Sequence, residues 1–185
     1  MKKLLSMAVV LFAATTMFAQ TADGTFTLQP KVGMTIANST NDNTSAKVGF
    51  IGGVEAGYQF DKHFAFTMGV NYAQYGCKIE NTDIKMNMDY ITVPILANYY
   101  VCQGLAIKAG LEPAFNVSSE MKYNDKTADI SASKDVILSI PVGASYEYKN
   151  VILDARYNIG ITDAIDNLSS KNSAFVLTLG YKFTL

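Results

Sequence analysis

The sequence predicts an all-β protein, an eight-stranded antiparallel up-and-down transmembrane β-barrel. Three observations carry that expectation. Eight segments alternate between apolar or aromatic residues and small or polar ones, the period of two that marks a strand with two unlike faces. The connections run long, short, long, short, long, short, long, as when tight hairpins close one end of a barrel and loops leave the other. The last segment, Ala174 to Leu185, ends in the aromatic pair Tyr181 and Phe183, as the closing strand of an outer-membrane barrel does. A Greek-key sandwich would break this rhythm with a long crossover.

The chain has 185 residues, enough for one domain with a real core and not for two. A formal net charge of -1 offers no footprint for nucleic acid and no polybasic membrane patch. Eleven tyrosines, ten phenylalanines and 13 glycines, without tryptophan, favour strands over helices. Met1 to Ala19 reads as a secretory signal peptide: Lys2 and Lys3 are its basic start, Leu4 to Phe18 its apolar core, and Ala19 its cleavage point. That core is shorter than the ~20 apolar residues of a membrane helix. Residues 20–185 are therefore expected to be exported as one barrel.

In chain order, the first segment, Leu28 to Ala37, sets Val32, Met34 and Ile36 against Lys31, Gly33 and Thr35. A polar loop to Lys47 leads to the second, Val48 to Phe60, where Phe50, Val54, Ala56 and Tyr58 oppose Gly49, Gly53, Glu55 and Gly57. After the turn Asp61-Lys62-His63, the third runs from Phe64 to Tyr75. The fourth, Met88 to Val101, is apolar on both faces, so alternation does not say which side faces in. The turn Cys102-Gln103-Gly104 opens the fifth, Leu105 to Val117, which places Lys108 and Glu112 on its polar face. The longest loop, Ser118 to Asp135, precedes the hairpin of Val136 to Tyr148 and Val151 to Ile161, turned at Lys149-Asn150. Pro94, Pro113 and Pro141 fall inside strands, and proline cannot donate to a ladder, so bulges or ladder gaps are expected there. Cys77 and Cys102 should lie a membrane thickness apart, beyond the ~7 Å reach of a disulfide, and stay unpaired.

Alternation alone does not separate a membrane barrel from a soluble, lipocalin-like carrier turned the other way. A soluble barrel would crowd its polar face with Lys and Glu. Here that face is mostly Gly, Ala, Ser, Thr and Asn, which suits the cramped lumen of an eight-stranded barrel. Tyr58, Phe60, Phe64, Phe66, Tyr99, Tyr146, Tyr148, Tyr181 and Phe183 lie near the short turns or the C-terminus on the apolar face, the expected aromatic girdle at one membrane interface.

The signal peptide, GFIGGVEAGYQF in the second strand, YITVPIL at Tyr90 to Leu96, GASYEY at Gly143 to Tyr148 and the LGYKF ending resemble the PorT-like outer-membrane β-barrel family, similar in architecture to the OmpX and OmpA barrels. The resemblance implies an eight-stranded barrel in a Gram-negative outer membrane. It implies no single activity: a few members serve a secretion apparatus and many have no assigned role.

Charged residues on the polar face are Lys31, Glu55, Lys108, Glu112, Glu147, Asp154, Arg156 and Lys182. Glu55, Lys108, Glu112, Asp154 and Arg156 fall at lower to middle depth, where poorly hydrated charges should pair across the lumen as a plug. Catalysis is not expected: the sole histidine, His63, sits in a short turn, so no Ser-His-acid set forms at the outer rim. No loop carries spaced calcium ligands, and no cofactor is indicated. The expected partners are membrane lipid, the outer-membrane insertion machinery through the C-terminal strand, and a surface partner at the long loops. The role expected is structural or surface interaction. The alternatives are a narrow channel or an accessory of an envelope transport or secretion machine.

Overall fold

The structure is a computed structural model that describes residues 23–39, 44–79, 85–123, 126–129, 136–165 and 168–185. The expectation for Met1 to Ala19 lies outside the described residues. Strands β1 (Phe26–Ser39), β2 (Thr44–Gln59) and β3 (Phe64–Ile79) are followed by β4 (Lys85–Thr92) and β5 (Ile95–Cys102). Then come β6 (Leu105–Tyr123), β7 (Lys126–Asp129), β8 (Val136–Tyr148), β9 (Val151–Ile165), β10 (Leu168–Tyr181) and β11 (Phe183–Thr184). Strands β4 and β5 form one stave, as do β10 and β11. All pairings are antiparallel, and β1 meets both β2 and β10, which closes an eight-stave barrel.

The registers fix its geometry. A row of partners starting at Phe26 passes through Tyr58, Phe66, Ala97, Ala109, Val142, Tyr157 and Phe175. It returns to β1 at Ile36, ten residues beyond its start. With a rise of ~3.3 Å and a strand spacing of ~4.8 Å, that stagger tilts the strands by about 40° and gives a backbone radius of about 8 Å. Such a lumen is filled by side chains.

The short links are built from local chemistry. Asp61 Oδ1 accepts from His63 N (2.6 Å) and Phe64 N (3.0 Å) and so folds the β2–β3 turn. Gly104 and Lys149 take left-handed φ values of 83° and 56° in the two-residue turns after β5 and β8. Asn150 N–H groups and carbonyl also serve the last stave: its Nδ2 donates to Lys182 O (2.9 Å), and its O accepts from Lys182 N (2.7 Å), where β10 gives way to β11.

The prolines act as ladder breaks at two of the three positions. The fourth stave is interrupted at Val93–Pro94, where Pro94 O accepts from Gly69 N (3.0 Å) and Val93 N donates to Pro113 O (2.9 Å). Opposite Pro141 the β6–β8 ladder jumps from Ala109–Val142 to Glu112–Ser139. Pro113 itself stays in register opposite Leu138. The long loops are shorter than the sequence suggested, because β3, β6 and β9 run on to Ile79, Tyr123 and Ile165, and β7 pairs with the far end of β6.

Apolar side chains point outward all round: Val32, Phe50, Met68, Ile107, Leu153 and Leu179 are exposed. A soluble carrier with an apolar cavity would have these inside, so the lipocalin-like alternative is set aside. The fourth stave, ambiguous in sequence, turns Met88, Tyr90, Thr92, Leu96 and Asn98 into the lumen.

Candidate functional site

The lumen is layered. Counted from the short turns, the first layer is a mouth where Lys182 is salt-bridged to Glu147 and its Nζ reaches Tyr100 OH at 3.4 Å. A small chamber above it is lined by Gln29, Asn98, Lys108, Glu147 and Lys182 among others.

The second layer is ionic. Lys31 on β1 pairs with Glu55 on β2. Arg156 on β9 reaches across to Glu55 (Nη1–Oε1 3.5 Å) and along its own strand to Asp154 (Nε–Oδ1 2.8 Å). Asp154 also binds Lys108 of β6 (2.5 Å). The side chains reach one another because alternate residues of each strand face the lumen and the radius is only about 8 Å. Arg156 is 1 % exposed. Glu112 stands one level further from the short turns and accepts from Asn158 Nδ2 (2.7 Å) and Tyr75 OH (3.4 Å). The five residues singled out in sequence thus share one lumen, with Lys31 as a sixth member. Three cations (Lys31, Lys108, Arg156) face three carboxylates (Glu55, Glu112, Asp154), all buried.

The third layer is apolar and was missed in sequence. Tyr75 and Tyr90 pack at 5.6 Å between ring centroids. Ala37, Ile51, Met88, Ala114, Ile137 and Val176 belong to the same buried cluster. The only signal was the two-faced apolarity of the fourth segment, which alternation could not resolve. A second small chamber opens within this layer, lined by Tyr75, Glu112, Ser139 and Asn158 with Ala37 and Ile137. It has room for water-sized guests, not for a substrate.

On the outer wall, Phe60, Phe64, Tyr99, Tyr148, Tyr181 and Phe183 are exposed near the short turns, and Tyr58 and Tyr146 are half-buried beside them. Phe26, outside the segment read from sequence, packs on Tyr58 (4.8 Å), which packs on Phe60 (4.8 Å). Phe60 meets Phe64 (5.7 Å), and Tyr181 meets Phe183 (4.9 Å). His63 stacks on Tyr99 (6.3 Å) and is exposed. Towards the other rim the wall turns polar, with Tyr72 OH donating to Asp89 Oδ2 (2.7 Å). Cys102 is an exposed free thiol; the side chain of Cys77 lies outside the described residues. Among the described residues no group of three or more His, Cys, Asp or Glu is placed to hold a metal.

Solved barrels share this architecture. The Ail protein of Yersinia pestis, the attachment invasion locus protein, crystallised with the heparin analogue sucrose octasulfate, is 14 % identical. It superposes with a TM-score of 0.56 over 87 % of this chain and 99 % of its own. Neisserial surface protein A is 20 % identical, with a TM-score of 0.53 over 86 % and 97 % of the two chains. OprG, an outer membrane protein of Pseudomonas aeruginosa, is 13 % identical, with a TM-score of 0.50 over 89 % and 98 %. At these identities the likeness is one of fold. No curated relative matches the chain. Residues 18–166 match the family described as outer membrane protein beta-barrel domain, a match that ends before the closing stave. The chain belongs to that family, and it is a transmembrane β-barrel of the Gram-negative outer membrane.

Proposed function

We propose that this protein is a closed barrel whose lumen is sealed by the ionic layer and whose work is structural or surface interaction at the loop end. The single observation that carries this is the network of buried salt bridges across the lumen, whose three cations are balanced by Glu55, Asp154 and the neighbouring Glu112. Each pair leaves water only because the opposite charge is in place, so the layer holds together as a unit. The hydrogen-bonded Glu112 and the apolar cluster beyond it add a second barrier to ions.

The remaining assignments follow from this orientation. The short turns and both termini face the periplasm, where the girdle of Tyr58, Phe60, Phe64, Tyr99, Tyr146, Tyr148, Tyr181 and Phe183 sits in the headgroup region. The signal peptide ends near Ala19, and the β10–β11 stave presents Tyr181 and Phe183 to the insertion machinery. The quoted motifs support placing the chain in the PorT-like branch of the family. The absence of a histidine near the loop end supports a non-enzymatic role. The surface partner is met through the loops, which tolerate variation because a rigid scaffold carries them.

Recording from the purified protein in planar bilayers tests the closed lumen. Silence at moderate voltage is expected. Steady unitary openings of the wild type would instead favour a channel and retire this reading.

A further inference from the structure

We infer that the sealed lumen passes a file of water through its two chambers and so across the membrane while excluding ions. This rests on the closed-lumen reading above and adds an activity to it.

The argument starts from polar atoms that the fold buries without giving them a partner. Among the described residues, Gln29 Nε2, Asn98 Oδ1, Glu55 Oε2, Arg156 Nη2, Thr178 Oγ1 and Asn158 Oδ1 are buried and make no hydrogen bond to the protein. Folded proteins rarely leave such atoms bare, because each would forfeit the bond it makes in water. Their placement is ordered. Gln29 and Asn98 line the chamber at the short-turn end, and Asn158 lines the chamber beside Tyr75. Glu55 and Arg156 belong to the ionic layer between the chambers, and Thr178 lies opposite Asp154 at the same level. Lys108 of the ionic layer stands in the wall of one chamber, and Glu112, one level beyond that layer, stands in the wall of the other.

The set mixes acceptors (Glu55, Asn98, Asn158), donors (Gln29, Arg156) and a hydroxyl that is both. Water is the small guest that satisfies both kinds in succession. An ion is matched poorly. The fixed charges balance, so neither sign gains net attraction, and side chains filling a barrel of about 8 Å backbone radius leave no room for a hydration shell.

The test uses the folded full-length barrel in phosphatidylcholine vesicles, with shrinkage after an osmotic step followed by stopped-flow light scattering. Wild-type vesicles should shrink faster than protein-free vesicles. Thr178→Val, which replaces the hydroxyl with a methyl of the same shape, should lower that excess rate while the heat-modifiable gel shift shows the barrel intact. Wild-type vesicles shrinking at the protein-free rate would overturn the inference, whatever the variant does. An excess rate that Thr178→Val leaves unchanged in a folded barrel would overturn it too, since the file then does not pass the ionic layer. Potassium flux in the same vesicles separates the two readings: ion flux sinks the closed lumen itself, whereas no ion flux and no excess water flow sinks only the water file.

Discussion

The half of the barrel near the short turns and the half near the loops are built differently. In the short-turn half, partners run in long registers, such as Lys31–Gly53 down to Phe26–Tyr58, with a single-residue slip between Tyr100 and Cys102 beside the β5–β6 turn. The wall there is ringed with aromatic side chains, and the lumen holds salt bridges. In the loop half the registers slip: between Ala46 and Ile51, between Asp89 and Tyr90, and between Leu168 and Ser173. The wall becomes polar at Tyr72 and Asp89, and the lumen fills with Tyr75, Tyr90 and Ile137. The contrast has a physical cause. Tight turns fix register at one end, and charges that pair across the lumen require their strands to hold that register. An apolar filling has no such directionality and tolerates the bulges above it.

Removing Arg156 should break this contrast with the largest effect. Arg156→Ala leaves Glu55 with Lys31 alone and Asp154 with Lys108 alone, and it opens space in the layer. A loss of about 3–5 kcal/mol is expected from urea unfolding in lipid, together with new bilayer current. Glu112→Ala should leak less, because it touches Asn158 and Tyr75 rather than the paired network. Equal leaks from the two variants would erase the distinction between the layers.

The lipid wall gives the next largest effect. Val32 and Val136 are similarly exposed, at 57 % and 48 %. Val32 lies midway along β1, whereas Val136 begins β8 at the loop end. Val32→Lys should cost about 2–4 kcal/mol and Val136→Lys about 0–1 kcal/mol, because the penalty for a charge depends on depth in the apolar band. Similar costs would mean that the band has been placed at the wrong height.

A smaller effect tests the tightness of the β5–β6 seam. A Cβ on Gly110 would stand 1.9 Å from Ile95 O, so the neighbouring strand must move. One on outward-facing Gly52 would press on the Phe50 ring, 3.0 Å away, which can swing aside, and would meet Lys31 O at an ordinary contact distance of 3.7 Å. Gly110→Ala should cost about 1–3 kcal/mol and Gly52→Ala under about 0.5 kcal/mol in the same unfolding assay.

The same division explains what could be read from the residues. Alternation and loop rhythm sufficed for eight staves and for the facing of Glu55, Lys108, Glu112, Asp154 and Arg156, because each sits in a segment with one clearly apolar side. Lys31 is on the polar face, yet its place in the ionic layer is not legible in sequence, since its diagonal partner Glu55 is fixed only by the register of β1 with β2. Tyr75, Met88 and Tyr90 were illegible for another reason. An apolar residue pointing into an apolar part of the lumen has the same pattern as one pointing at lipid. The strand extensions to Ile79 and Tyr123, GCKI and SSEMKY, lack the apolar alternation that marks a strand, because pairing beyond the membrane does not need apolar side chains.

Tyr75 joins the two halves, and its hydroxyl gives the finest test of the contrast. The ring belongs to the apolar cluster, while the OH donates to Glu112 at 3.4 Å. Tyr75→Phe keeps the ring against Tyr90 and removes only that long bond, so a loss at the low end of about 0.5–1.5 kcal/mol is expected. Asn158 still donates to Glu112 at 2.7 Å in that variant. Adding Asn158→Leu takes away the second donor, and the pair should therefore cost more than the sum of the single changes, a coupling that a double-mutant cycle reads directly. Strict additivity would mean that Glu112 draws its support from elsewhere in the lumen. Should Tyr75→Phe alone cost as much as Arg156→Ala, the apolar layer would be bearing the load assigned to the ionic one.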